Sequence, residues 1–168
     1  RTGQNPPSRE GVPGYPGVVT RAALVRAAML VGVLALAGCG QSDLGTPQEY
    51  ATALFNGINE EREAAHLAPL EWSDCLADKA LPRAQAAATA DTLEHESLVA
   101  TCLEGVAAGE NLSRSDDTPE SIVAQWMESP GHAQNITRPG FTIAGIACAP
   151  LPDAAAGYAC ALLFEGGE

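Results

Sequence analysis

The sequence predicts an α+β domain. Capped segments with apolar residues at helical spacing come first, over residues 46–66, over 74–88 and from Thr118 onward. Two strand-like runs follow, Phe141 to Ala149 and Tyr158 to Phe164. They flank a loop containing Pro150, Pro152, Asp153 and Gly157 and read as an antiparallel hairpin. Helical patterns followed by a hairpin define the class.

Composition sets the outer limits. A chain of 168 residues suits one domain once a processed segment is removed. Apolar residues make up 46%, enough for a core, but aromatics only 5%, so alanine-rich helices are expected to approach closely. Net charge is −12. Four of the nine bases (Arg1, Arg9, Arg21, Arg26) and one acid (Glu10) precede Cys39, so the remainder carries 20 acids against five bases, a net of −15. Such a surface repels phosphate backbones, which argues against a nucleic-acid partner. It suits solubility outside the cell.

Residues 1–38 read as a leader. Arg1 to Gly17 is rich in Pro and Gly, aperiodic, and expected to be disordered. Arg21 and Arg26 then precede an apolar run from Ala27 to Ala37. A membrane span takes about 20 residues, so this shorter run reads as a secretory signal peptide. Its end, Leu36-Ala37-Gly38-Cys39, resembles the bacterial lipobox. That resemblance implies lipidation of Cys39, a mature chain starting there, and attachment to the membrane through the lipid. Residues 39–45 form a polar tether, and 46–168 the folded domain.

Thr46-Pro47-Gln48-Glu49 combines a capping box with Pro at the first helical position. This helix is expected to reach His66, with Tyr50, Leu54, Phe55, Ile58 and Arg62 along one side. His66 falls at the helix end, where a cation suits the dipole, and reads as a surface residue, not a ligand. Trp72 reads as a core plug. Ser73 caps a second helix, Asp74 to about Ala88, with Leu76, Ala80 and Ala84 as its inner face; Pro82 is expected to kink or divide it. Asp91 to Ser97 is a loop carrying His95. Gly109-Glu110-Asn111 reads as a turn offering a carboxylate. Thr118, Pro119 and Glu120 open a third helix that turns Ile122, Val123, Trp126 and Met127 inward. Pro130 and Gly131 are expected to end it in a turn that offers His132.

The five cysteines need accounting for in an exported chain. With Cys39 lipidated, Cys75, Cys102, Cys148 and Cys160 remain, and they allow three pairings. Cys148 and Cys160 can sit opposite each other on the hairpin. That register sets Ile146 against Leu162 and Ala144 against Phe164, so one face stays apolar. It leaves Cys75 with Cys102, joining the second helix to the segment before Glu110. Each bridge is worth about 2–4 kcal/mol in an oxidising compartment. A zinc–thiolate site is the rival explanation, but the sequence has no Cys-x-x-Cys pair.

Gly109-Glu110-Asn111 followed by Trp126-Met127-x-Ser129-Pro130-Gly131-His132-x-x-Asn135-Ile136 resembles the signature of the CAP superfamily in its bacterial branch. That superfamily comprises cysteine-rich secretory proteins, antigen 5 and plant pathogenesis-related proteins. Asn59-x-x-Arg62, the Pro69-Leu70-x-Trp72 connector and His95-Glu96-Ser97 are further matches, so the resemblance covers roughly residues 46–164. It implies a three-layer α-β-α sandwich with a small antiparallel sheet, and structural roles for Asn59, Arg62, Asn111 and Trp126.

The resemblance also implies a cavity lined by His95, Glu110 and His132. Two imidazoles and a carboxylate suit a divalent metal such as zinc with an open coordination position. The same set can do general acid–base work. Many eukaryotic members have a second Glu three residues after the helix Trp. Here Ser129 stands there, and Glu128 lies one residue earlier, a rotation of about 100° on a helix. The expected set therefore stops at three. Ser129 precedes Pro130 in a turn, and nothing in the sequence establishes a base–orienter pair beside it, so it is not read as a nucleophile. The function implied is a lipid-anchored, non-catalytic module on the bacterial cell surface that binds a divalent metal or small ligand. The alternatives are a metal-dependent, peptidase-like hydrolase using the same cluster and, third, a lipid or sterol binder.

Overall fold

A computed structural model of the chain describes residues 44–95, 98–152 and 157–167. The leader, Cys39 and most of the tether lie outside the described residues, as do Glu96, Ser97 and Asp153. The first helix, α1 (Pro47–Ala64), begins as its capping box dictates. Thr46 Oγ1 accepts the Glu49 N–H, and the Glu49 carboxylate accepts the Thr46 N–H. Tyr50, Leu54, Ile58 and Arg62 are buried along one stripe. The helix stops short of His66, which takes a left-handed φ of 59° while the Leu67 N–H returns to the Arg62 carbonyl. His66 is exposed.

After a two-residue strand, β1 (Glu71–Trp72), comes α2 (Asp74–Thr89), capped by Ser73. It buries Leu76, Ala80, Ala84 and Ala87. Pro82 does not divide it: α2 runs through. Pro82 and Asp78, whose carbonyl loses its helical partner, are both exposed, so water can replace the lost bond. Trp72 is not a core plug. It is 37% exposed, with its ring edge-on to Phe55 at 5.0 Å and its Nε1–H donated to Asp74. A short strand at the rim of the sheet leaves its ring at the surface.

The remaining elements are β2 (Ala107–Ser115), α3 (Pro119–Glu128), α4 (Pro130–Ile136), β3 (Phe141–Pro150) and β4 (Tyr158–Gly166). Two expectations are corrected here. Gly109-Glu110-Asn111 is not a turn but the middle of β2, drawn into extended form by pairing along the whole length of β4. Pro130 does not end helical structure but opens α4, because the first helical position needs no N–H donor.

The strand order is β1-β3-β4-β2. β1 is parallel to β3 and the other pairs are antiparallel, so the sheet is mixed. The hairpin register is the one its apolar pattern predicts: Cys148 opposite Cys160, Ile146 opposite Leu162, Ala144 opposite Phe164. Both expected bridges are present, Cys75–Cys102 and Cys148–Cys160.

Alternation along β4 builds the layers. Cys160, Leu162 and Phe164 pack with Leu54, Ile58, Trp126 and Ile136 under α1, α3 and α4. Ala159, Ala161 and Leu163 pack with Leu76, Ala80 and Ala84 of α2 on the other face. The result is a three-layer α-β-α sandwich. No helix among the described residues is long and apolar enough to cross a membrane.

Three polar groups, Arg62 and Glu165 buried and Asn59 half-buried, fix the loops. Arg62, 1% exposed, donates to the carbonyls of Ala68, Ile136, Arg138 and Phe141. Asn59 exchanges two hydrogen bonds with the backbone of Leu70. At the far end of β4, the Glu165 carboxylate accepts the N–H groups of Thr101, Cys102 and Leu103.

Tyr50 supplies a test of this packing. Its hydroxyl donates to the Asp117 carbonyl at 2.8 Å, and its ring lies 4.9 Å from that of Tyr158. Burial first, then the charges of Asp117 and Glu120 and the neighbouring Tyr158, raise its pKa from 10.0 to about 12. The folded state therefore holds the phenol proton more tightly than the unfolded state. The stability this contributes is complete below pH 10.0 and is lost as pH rises through about 12. Tyr50→Phe is expected to remove the last tyrosine step from a tyrosinate absorbance titration and to flatten the alkaline fall in stability. An unchanged titration curve would contradict this placement.

Candidate functional site

His95, Glu110 and His132 meet in one cleft. Glu110 sits in β2 on the side facing α2, its side chain 1% exposed. Its Oε2 accepts from Arg83 Nε at 2.8 Å, and its Oε1 accepts from Arg83 Nη2 at 2.9 Å. The same Oε1 lies 3.0 Å from His95 Nδ1. Arg83 Nη2 also donates to the Glu94 carbonyl at 3.1 Å. Arg83 thus holds His95 twice, through the backbone beside it and through the carboxylate against its ring.

His132 comes from the first turn of α4, with its ring centroid 5.9 Å from that of His95 and inclined at 62°. One turn on, Asn135 donates to the Glu110 carbonyl at 3.1 Å and to Asn111 Oδ1 at 2.9 Å. Asn111, fully buried, donates in turn to the His132 carbonyl at 3.2 Å. The Trp126 indole donates to the Leu112 carbonyl at 3.0 Å, holding α3 to the same strand. Gly109 permits this closeness. A Cβ there would stand 2.9 Å from the Phe141 ring and 3.0 Å from Asn135 Oδ1.

The cleft has a volume of about 500 Å³ and is lined by His95, Leu98, Glu110, Ser129, His132 and Asn135, among others. A carboxylate accepting from His95 Nδ1 places that ring's proton on Nδ1 and leaves the Nε2 lone pair free. Burial, and next the nearby His95, push the His132 pKa below its usual value. Both effects favour a neutral His132. Glu128 is exposed and does not line the cleft, whereas Ser129 does.

Among the described residues, no three of His, Cys, Asp and Glu are grouped so that they could hold a metal ion. Both oxygens of Glu110 already serve Arg83 and His95, so its place is behind His95 and not at a third ligand position. The donor set fits a cation held by two imidazoles, with Glu110 orienting one of them. Arg83 is the site residue that sequence reasoning missed. The available signal was an arginine on the alanine-rich α2, in a domain with few bases.

Helices on both faces of a four-stranded sheet, with the two histidines brought together at the strand bearing Glu110, define the class of protein. The sequence profile of the cysteine-rich secretory protein family, CAP, matches residues 55–162, and the chain belongs to that family. The uncharacterised protein YkwD of Bacillus subtilis (strain 168) is 31% identical over 106 residues, covering 58% of this chain and 41% of that protein. The chain thus spans less than half of that relative's length. Among solved structures, an outer surface protein from Borrelia burgdorferi has a TM-score of 0.62 at 20% identity, covering 74% of this chain and 97% of that one. An extracellular protein containing a SCP domain from Bacillus anthracis str. Ames has a TM-score of 0.55 at 20% identity, covering 73% of this chain and 41% of that one. At those identities the structural likeness concerns the fold alone.

Proposed function

We propose that this chain is an exported, lipid-anchored, non-catalytic binding module whose cleft takes a divalent cation between His95 and His132. The observation that carries the reading is the His95 ring, held 3.0 Å from Glu110 and 5.9 Å from the ring of His132. A carboxylate behind a ligating imidazole fixes its tautomer and raises its basicity. Neutral imidazole donors suit zinc among the common divalent ions. Bound zinc would offer its remaining positions to a donor atom of a small ligand. Arg83 grips Glu110 as a two-pronged fork and keeps the orienting carboxylate from swinging into the cleft.

The non-catalytic half rests on the same contacts. Glu110 is the one carboxylate among the cleft's described lining residues, and both its oxygens are already engaged. A hydrolase needs a group free to take a proton from attacking water. The signal-like run and the lipobox-like Leu36-Ala37-Gly38-Cys39 support export and anchoring. The relatives described as outer surface and extracellular proteins agree with that placement.

Calorimetric titration with zinc tests the site. The native protein is expected to bind, and His95→Ala and His132→Ala each to abolish measurable heat. Glu110→Gln is expected to weaken binding by about 10–100-fold, the usual effect of losing an orienting partner. Acidification should release the ion, because protonated imidazoles cannot ligate. No heat above buffer in the native protein would end the cation reading. Labelled palmitate incorporated into the native chain but not into Cys39→Ala tests the anchor.

A further inference from the structure

The two bridges differ in what surrounds them. Cys148 and Cys160 are 6% and 0% exposed and lie in the core cluster with Tyr50, Leu54 and Trp126. Cys75 is exposed and Cys102 half-buried. Disulfide exchange begins with attack of a thiolate on a bridge sulfur, so access decides which bridge opens first. Position adds to this. Cys75 is the second residue of α2. The N–H groups of a first helical turn favour a thiolate there, and Lys79, one turn on, offsets part of the opposing charge of Asp74 and Asp78.

The bridges also differ in what they enclose. Cys148 and Cys160 are 12 residues apart and close only the hairpin, whose strand pairing already sets them opposite each other. Cys75 and Cys102 are 27 apart, and the span between them carries both Arg83 and His95. Their bridge links the first turn of α2 directly to the segment that leads into β2. The His95 side chain is 54% exposed, so its place depends on few contacts: Glu110 against the ring and Arg83 on the carbonyl before it. Those contacts need α2 and β2 held at a fixed spacing. Without the bridge, that spacing rests on the apolar contacts of α2 and on Glu165, and local opening around His95 costs less.

We propose that Cys75–Cys102 is a thiol-exchange site that takes a dithiol as co-reactant, and that its opening loosens His95 and weakens the cation site. One thiolate of the dithiol attacks a bridge sulfur and forms a mixed disulfide, releasing the other cysteine as a thiol. The second thiol of the dithiol then displaces the first cysteine. Two electrons and two protons thus pass to Cys75 and Cys102, and the dithiol leaves oxidised to a disulfide. Glu165 still seats the Cys102 backbone after opening, so a disulfide oxidant can close the bridge again. The effect on the cation rests on the proposed function; the selective opening does not.

The test uses the full chain carrying Cys39→Ser, so that only the bridges react. Dithiothreitol at about 1 mM, followed by iodoacetamide and peptide mapping, is expected to open Cys75–Cys102 at least about tenfold faster than Cys148–Cys160. After alkylation and removal of the reagents, amide exchange at Asp91 to His95 should be at least about threefold faster than in the untreated chain, and the zinc dissociation constant at least about threefold higher. Alkylation keeps the freed thiols from ligating zinc themselves. Cys75→Ala combined with Cys102→Ala should reproduce both changes without any reagent; if that variant does not fold, the chain opened after folding decides. The proposal is overturned if the two bridges open at equal rates, or if exchange at Asp91 to His95 is unchanged by opening. It is overturned equally if the untreated chain binds zinc and the opened chain binds it as tightly. An untreated chain that binds no zinc ends the cation reading alone, and the exchange measurement still decides this one.

Discussion

Gly145→Ala is expected to cost about 3–4 kcal/mol, a large part of the about 5–15 kcal/mol that holds an ordinary domain together. Gly145 lies in β3 directly beneath α2. A Cβ there would stand 2.3 Å from the Ala77 nitrogen, 2.6 Å from the Leu76 carbonyl carbon and 2.7 Å from Leu76 Cβ. Two of those atoms are backbone, so no rotamer change relieves the clash. The helix must lift from the sheet, and its alanine face with Ala80 and Ala84 must loosen with it. Because α2 also carries Arg83, the Glu110–His95 contact should loosen too, visible as a shift of the His95 ring resonances. Guanidinium unfolding gives the energy. Gly131→Ala is the control, since nothing lies within 4 Å of its added methyl, and it should change stability by less than about 0.5 kcal/mol. Equal midpoints for the two variants would show that α2 does not press on β3 as described.

Arg62→Leu is expected to destabilise by about 3–5 kcal/mol. The guanidinium serves the carbonyls of Ala68, Ile136, Arg138 and Phe141, which belong to the connector after α1, the end of α4 and the start of β3. Leucine preserves apolar volume but strands carbonyl groups in the interior, and a stranded buried acceptor costs its full desolvation. Arg62→Lys keeps the charge without the planar fork and should restore at most about half of the loss. If Arg62→Leu unfolds at the native denaturant concentration, water must reach those carbonyls, and the residue is not the tie described here.

The parts of this fold that are legible in the sequence are those whose residues interact locally or by simple alternation. Thr46 and Glu49 announce α1 because both capping partners lie within one turn. The hairpin register can be read because β3 and β4 alternate cleanly and because Cys148 and Cys160 must face one another. β2 is hidden: Ala107–Ser115 is polar and holds a glycine, and it becomes a strand only because β4 lies alongside it. Pro130 misleads because the same ring that ends one helix is well suited to begin another. Trp72 misleads because burial is not set by size when a strand is two residues long and sits at the rim. In the candidate site, His95, Glu110 and His132 are named by resemblance to a motif. Arg83 is not, since its tie to Glu110 spans a loop that no local pattern describes.

Glu165 has a consequence for which cysteines pair. It seats the backbone of Cys102 through hydrogen bonds, and the helix bearing Cys75 docks on the neighbouring face of the same sheet. The other two thiols are set face to face by strand pairing. Each sulfur is thereby held beside its mate by contacts other than the bridge itself, and either scrambled connectivity would have to break them.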